Sequence, residues 1–235
     1  MSDWAKKRFW KTASVLEVEG GFTVLLDSRA LKTPAKAALI VPTRAMAEAV
    51  AEEWDAQEEV INPNTMPVTR SANAAIDKVS VQHSEVADLL AEYGASDLLC
   101  YRATSPAELI AREAESWDPI LDWAATVLNA RLVPVSGVMF QAQDDSALQI
   151  LREKVHALNN FELAAFHDLV SMSGSLVLGF AALLDHLAPE EIWRISRIDE
   201  DWQEEQWGVD EEAAEQAARK KRDFLHAYRF VNMLS

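Results

Sequence analysis

ASVLEVEGGFTVLL, residues 13–26, decides how the chain begins. Apolar and polar residues alternate in Ala13–Glu19, with Val15, Leu16 and Val18 as its apolar members, the two-residue period of a half-buried strand. Gly20-Gly21 follows and supplies the positive φ that a tight hairpin requires. Phe22–Leu26 is again rich in β-formers. Asp27–Arg29 offers a second turn, and Leu31–Pro34 and Ala38–Val41 are short apolar pieces separated by polar residues. A small antiparallel meander is expected over the first forty residues.

The period changes at Pro42-Thr43. In Arg44–Glu58 the apolar residues Met46, Ala49, Val50 and Trp54 recur at three and four, which predicts a helix with Thr43 as N-cap. Asn62-Pro63-Asn64 ends it. Pro67–Val79 and Ser84–Tyr93 read as two more helices, the second capped by Ser84 and stopped by Gly94. Ser96–Arg102 fits a strand or a buried helix equally. Pro106–Ala130 is a long helical reading with Trp117, Ile120, Leu121 and Ala124 on one face, and Pro119 is a place for a kink or a split. Leu132–Phe140 is strand or loop. Ser146–Leu158 carries the stripe Leu148, Leu151, Val155, Leu158. Phe161–Leu187 holds two apolar helical pieces around Ser171–Ser175. Pro189–Gln206 and Asp210–Asn232 are terminal helices, split at Trp207-Gly208. The fold class is α+β: a small N-terminal antiparallel β-containing domain, residues 1–80, and a larger helical domain, residues 81–235, with the boundary between 60 and 95.

Composition narrows the function. Of 235 residues, 38 are acidic and 22 basic, a formal net charge of -16. Phosphate contacts need clustered Lys and Arg, so this balance argues against a nucleic-acid partner and against anionic lipid. A single cysteine, Cys100, permits neither an intrachain disulfide nor a Cys-based zinc site. The longest apolar run, Leu176–Leu184, is far short of the roughly 20 residues a bilayer span needs, so membrane insertion is not expected and a buried core helix is. The N-terminus is basic but no long apolar run follows, which argues against a secretory signal.

Catalytic signals are missing. Gly174-Ser175-Leu176-Val177-Leu178-Gly179 lacks the lysine of a phosphate-binding loop, and its two glycines fit close helix packing better. No histidine pair has metalloprotease spacing, and no nucleophile elbow occurs. His167 beside Asp168 is the best acid–base pair, yet adjacent helical residues point about 100° apart. Cys100 sits among apolar residues and reads as structural. No catalytic, cofactor-binding or metal-ligating residue is assigned. One enzyme alternative, through His167 and Asp168, stays open.

Charge is distributed unevenly. Residues 185–215 contain twelve acids against Arg194 and Arg197 alone, a local net charge of -10. Trp193, Trp202 and Trp207 are interleaved with them, and Arg219-Lys220-Lys221-Arg222 closes the block. On a helix, Asp199, Trp202 and Gln206 share one side, and Glu200, Glu204 and Trp207 share the adjacent one. A solvated helix face with inward-facing tryptophans and a protein-binding surface both fit this pattern, since tryptophan is enriched at hot spots and charge steers encounter. Asp199, Glu200, Trp202, Glu204, Glu205 and Trp207 are the candidate partner-binding residues. A generic acidic adaptor for some other basic protein would carry the same features.

Ordered motifs run along nearly the whole chain. They include Lys7-Arg8-Phe9-Trp10-Lys11, Leu26-Asp27-Ser28-Arg29, Leu31-Lys32-Thr33-Pro34, Glu53-Trp54-Asp55-Ala56-Gln57, Met66-Pro67-Val68-Thr69 and Ala75-Ile76-Asp77. Asp97-Leu98-Leu99-Cys100-Tyr101-Arg102-Ala103, Trp117-Asp118-Pro119, Gly174-Ser175-Leu176 and the stretch Asp199–Gly208 follow. In this order and spacing the sequence resembles the Atp-twelve type of assembly chaperone for the catalytic F-one sector of ATP synthase. The resemblance implies a non-enzymatic chaperone without cofactor. Its client would be the unassembled alpha subunit, shielded until it pairs with beta. It also implies an N-terminal domain of strands and helix followed by an orthogonal helical bundle, and functional weight on acidic residues matching Asp199–Gly208. No long mitochondrial presequence is seen, so a bacterial, cytoplasmic member is expected; the family's eukaryotic location is the mitochondrial matrix.

Overall fold

The computed structural model describes residues 7–137 and 139–235. The N-terminal stretch read for a targeting signal falls partly on residues 1–6, and Val138 lies within the ambiguous Leu132–Phe140; both are outside the described residues. The architecture is α+β, a small antiparallel sheet near the N-terminus with helices making up most of the rest. The chain divides into two compact units. Residues up to 82 form the first together with 160–164 and 229–235, and residues 83–159 with 165–228 form the second. The two short segments 160–164 and 229–235 thus group with the N-terminal unit, whereas the sequence pattern places them with the helices.

In the first unit, β1 (Ala13–Val18) pairs antiparallel with β2 (Gly21–Leu26), Val18 opposite Gly21. β3 (Arg29–Ala30) adds to the other edge of β2. Gly20 turns with φ +87. Gly21 is required by contact as well as by φ: a Cβ there would sit 2.3 Å from the Val41 carbonyl oxygen. That carbonyl accepts the Phe22 N–H at 2.8 Å, and the Val41 N–H donates to the Phe22 carbonyl. α1 (Arg44–Asp55) packs on β1 and β2, and its Thr43 N-cap accepts from the Met46 N–H at 3.2 Å. Val24, Leu39, Val41, Met46 and Val50 form the core of this unit. α1 stops at Asp55 rather than Glu58. Beyond it the Gln57 side chain turns back, donating to the Glu53 carbonyl and Thr65 Oγ1 and accepting from the Asn62 N–H.

α2 (Pro67–Ala74) continues into a π-helical turn over Ala75–Val79. Its N-terminus has no local side-chain cap. The Glu53 carboxylate of α1 supplies one, accepting the Val68 N–H at 2.6 Å and the Thr69 N–H at 2.8 Å, two of the donors a helix start leaves unpaired. Arg8 donates to the carbonyls of Asp55 and Gln57 and pairs with the Asp55 carboxylate. The motif Glu53–Gln57 is therefore a joint holding a helix end, a connector and the next helix start.

The second unit contains α3 (His83–Ala91), α4 (Ala107–Trp123), α5 (Asp145–His156), most of α6 (Asn160–Ser173), α7 (Leu176–Leu183), α8 (Pro189–Ile195), α9 (Ile198–Trp207) and most of α10 (Glu211–Asn232). Several boundaries differ from the sequence reading. Ser84 lies inside the first turn of α3, not at its cap. Gly94 has no positive φ; it is buried in a 3-10 turn where a Cβ would press on Leu148 at 3.2 Å. Pro119 does not split α4, and a π-helical turn, Ala124–Leu128, extends that helix. The two ambiguous stretches solve one another: β4 (Tyr101–Arg102) pairs in parallel with β5 (Val135–Ser136). The expected single helix Pro189–Gln206 breaks at Ser196-Arg197, where Arg197 leaves helical geometry at ψ 9.

α7 is buried along nearly its whole length, as the apolar run Leu176–Leu184 leads one to expect. Among the described residues no helix is long and apolar enough to cross a membrane. Of Gly174 and Gly179, only Gly179 serves packing: a Cβ there would lie 2.6 Å from Val170 Cγ2. Gly174 instead ends α6 at φ +73. Ser175 then caps α7, accepting the Leu178 N–H at 3.0 Å. Asp97, fully buried, binds this corner, accepting from Ser175 Oγ at 2.7 Å and from the N–H groups of Val177 and Leu99 at 3.1 Å. Two motifs far apart in sequence, around Asp97 and Ser175, are thus one hydrogen-bonded corner.

Candidate functional site

The acidic stretch forms α9, ten residues with Asp199, Glu200 and Asp201 in its first turn. Carboxylates there oppose the positive end of the helix dipole, and Gly208 at φ +90 closes the other end. Three sides of α9 have three different surroundings.

On one side Asp199, Trp202 and Gln206 line a cleft of about 600 Å³, whose opposite wall is residues 101–106 and α4. Its floor is Glu113, 1% exposed. Glu113 accepts the Ala103 N–H with both oxygens, at 2.9 and 3.2 Å. Burial, and next the hydrogen-bonded and charged Asp199 carboxyl, push Glu113 up to about 7. Asp199 Oδ1 is buried and accepts from no amide, guanidinium or hydroxyl of a described residue. Two carboxyls in one buried place resist ionising together, so Glu113 keeps its proton to higher pH than an ordinary glutamate.

On a second side Glu200, Glu204 and Trp207 line a shallower cleft of about 370 Å³ with Arg197 and Lys220 of the basic block. Glu200 pairs with Arg197 at 2.9 Å. Glu204 makes no ion pair among the described residues. Trp207 belongs to both clefts and is 79% exposed, next to the exposed Val209.

On the third side Asp201 and Glu205 face α4. Arg112 of that helix grips the Glu205 carboxylate with both terminal nitrogens, at 2.8 and 2.9 Å, and lies over the Trp202 ring at 4.9 Å. The hydrogen bonds from Arg112 hold the Glu205 carboxyl below its ordinary value. The six candidate residues therefore divide. Glu205 and Trp202 tie α9 to α4, Asp199 lines a cleft, Glu200 is paired within its own segment, Glu204 is half-buried without an ion pair among the described residues, and Trp207 faces outward. Glu113 and Arg112 were missed by the sequence reading because α4 shows only an ordinary amphipathic pattern, and Arg102 of β4 entered it only as part of a motif. The burial that distinguishes Glu113 has no local signal in the sequence.

Trp193 is buried, unlike Trp207. Trp117 is fully buried, donates its indole N–H to the Ile195 carbonyl at 2.9 Å and lies under Arg102, which pairs with Asp118. Cys100 is buried, and desolvation pushes its thiol up to about 12, far from a nucleophile's range. His167 and Asp168 do meet, Nδ1 to Oδ1 at 3.0 Å, contrary to the angular argument from sequence. That hydrogen bond raises His167. Both side chains are open to solvent, and neither lines any of the three clefts. No group of three or more metal-ligating side chains occurs among the described residues.

Comparison with known proteins matches this arrangement to one family. The family model described as ATP12 chaperone protein matches residues 7–125. Atp12 from Paracoccus denitrificans is 47% identical, with 99% of this chain and 100% of that one covered and a TM-score of 0.96. A protein from Agrobacterium tumefaciens described as a putative chaperone is 44% identical over 97% of this chain and 86% of its own, with a TM-score of 0.93. The mitochondrial protein atp12 of Schizosaccharomyces pombe is 26% identical over 89% of this chain and 76% of its own. The chain belongs to the ATP12 chaperone family, the assembly chaperones of ATP synthase.

Proposed function

We propose that this chaperone binds the unassembled alpha subunit of the F-one sector, covers its subunit interface and yields it to the beta subunit. The outward side of α9 is the contact surface. The observation that carries this reading is Trp207, 79% exposed at the end of an acidic helix beside the unpaired Glu204. An exposed tryptophan flanked by charge has the composition of an interface hot spot. A subunit waiting for its partner exposes a surface that would otherwise aggregate. The local net charge of -10 steers basic groups of a client toward this helix and falls in effect as salt rises.

Such a chaperone needs only reversible binding, so the protein works without catalysis and without cofactor. Displacement by beta releases the client. Its place of action is the bacterial cytoplasm, consistent with its bacterial relatives. Light scattering of isolated alpha subunit, diluted from denaturant, tests the reading. Stoichiometric chaperone should suppress aggregation, and added beta subunit should free the chaperone. Aggregation unaffected by the chaperone, or suppression only of unrelated basic proteins, would refute it.

A further inference from the structure

The cleft between α9 and residues 101–106 holds two carboxyl groups that nothing in the fold requires to be there. No amide, guanidinium or hydroxyl of a described residue donates to the buried Asp199 Oδ1, and Glu113 is 1% exposed with one backbone N–H for its two oxygens. Removing acceptors from water without donors is costly, and native proteins rarely leave them so. Aromatic rings stand beside them: Trp202 and Trp207 line the same cleft. Gln203 and Gln206 give it a polar rim. Carboxylates at the floor with indole faces at the side make a receptor for a flat cation that donates several hydrogen bonds.

We propose that this cleft receives an arginine side chain of the client, its guanidinium bridging Glu113 and Asp199 against the tryptophans. The inference rests on the client-binding reading above and names the chemical group that the helix recognises. The guanidinium takes the place of the proton that Glu113 keeps, and that proton passes to solvent on binding. The charged groups facing the pair are known from each side. Arg102 on β4 draws Glu113 toward ionisation, but its guanidinium is held by the Leu99 carbonyl and Asp118. Arg112 on α4 is occupied by Glu205. Neither supplies Asp199 Oδ1 with a donor. Glu113 titrates close to neutrality, so arginine and proton compete across the working pH range.

The test uses the full-length chain, labelled with nitrogen-15, and two small probes that differ only in charge. N-acetyl-arginine amide and its neutral isostere N-acetyl-citrulline amide are titrated to concentrations on the order of tens of millimolar, suited to a weak single-residue ligand. Arginine should shift the indole N–H signals of Trp202 and Trp207, and citrulline should not. A competing proton that leaves near pH 7 makes arginine binding about tenfold weaker at pH 6 than at pH 8. Asp199→Asn and Glu113→Gln are near-isosteric and keep the Ala103 contact available, and each should abolish the response with an unchanged circular dichroism spectrum. No indole shift with arginine, an equal shift with citrulline, or a response that survives both substitutions overturns the proposal. A pull-down with alpha subunit separates the two levels. Full capture by Asp199→Asn and Glu113→Gln refutes the cleft while the client reading stands. Failure of the unmodified chaperone to capture alpha refutes the client reading, and the arginine titration still reports on the cleft.

Discussion

Replacing Glu113 by glutamine should make the protein more stable above neutral pH and flatten its pH dependence. The side chain is buried against Ala103 and Asp199, and its carboxyl is pushed from 4.5 up to about 7. The folded state therefore keeps a proton that the unfolded chain releases from about pH 4.5 upward, and stability declines as pH rises through that window to about 7. One pKa unit corresponds to about 1.4 kcal/mol, so the interval sets a ceiling of about 3 kcal/mol. Because the pair borders a cleft open to solvent, screening should reduce this to about 1–2 kcal/mol. Glutamine keeps an oxygen for the Ala103 N–H and offers an amide N–H to Asp199 at every pH. Urea unfolding at pH 5, 6, 7 and 8, followed by circular dichroism, measures the difference between the two proteins. Burial also raises Glu53, Asp97 and Asp201, but those contributions are common to both chains and cancel. The variant should match the parent at pH 5 and exceed it by about 1–2 kcal/mol at pH 8, the span in which an unpaired carboxylate pair is strained. Parallel stability curves across this range would refute the account of a Glu113 that keeps its proton in the folded state.

Three further outcomes follow from the packing. Asp97→Asn places an amide where the Val177 N–H donates, two donors facing one another, and should cost about 1–3 kcal/mol in chemical denaturation. Gly179→Ala drives a methyl to within 2.6 Å of Val170 Cγ2; overpacking of about 1–3 kcal/mol outweighs the roughly 1 kcal/mol gained in helix propensity, and the melting temperature should fall. Trp207→Ala removes an exposed ring and should leave stability within about 0.5 kcal/mol while weakening capture of alpha subunit in a pull-down.

The hairpin was legible because Val15 to Leu26 follows a strand period and Gly20-Gly21 marks its turn; the Val41 carbonyl at Gly21 was not, since a nonlocal approach leaves no local pattern. The sides of α9 were read correctly from helical spacing alone, Asp199 with Trp202 and Glu204 with Trp207. What spacing could not say is which side meets what. Arg112 sits 93 residues from Glu205, and its grip turns two of the candidate binding residues into helix anchors. Glu113 looked like one more polar position in an amphipathic helix, and only tertiary burial gives it chemistry. The motifs that carried the family resemblance sort in the same way. Arg8, Glu53, Gln57, Asp97 and Ser175 are hydrogen-bonded joints of the fold, whereas the stretch at 199–208 presents Trp207 to solvent.

Capture of newly released alpha subunit by immobilised chaperone tests the central claim most directly. Unmodified protein and a variant with Trp207→Ala and Glu204→Lys are compared, with Glu58→Lys as a charge control outside α9. The account predicts full capture by the unmodified protein and the control, and loss of capture by the double variant at unchanged circular dichroism. Equal capture by all three would contradict it.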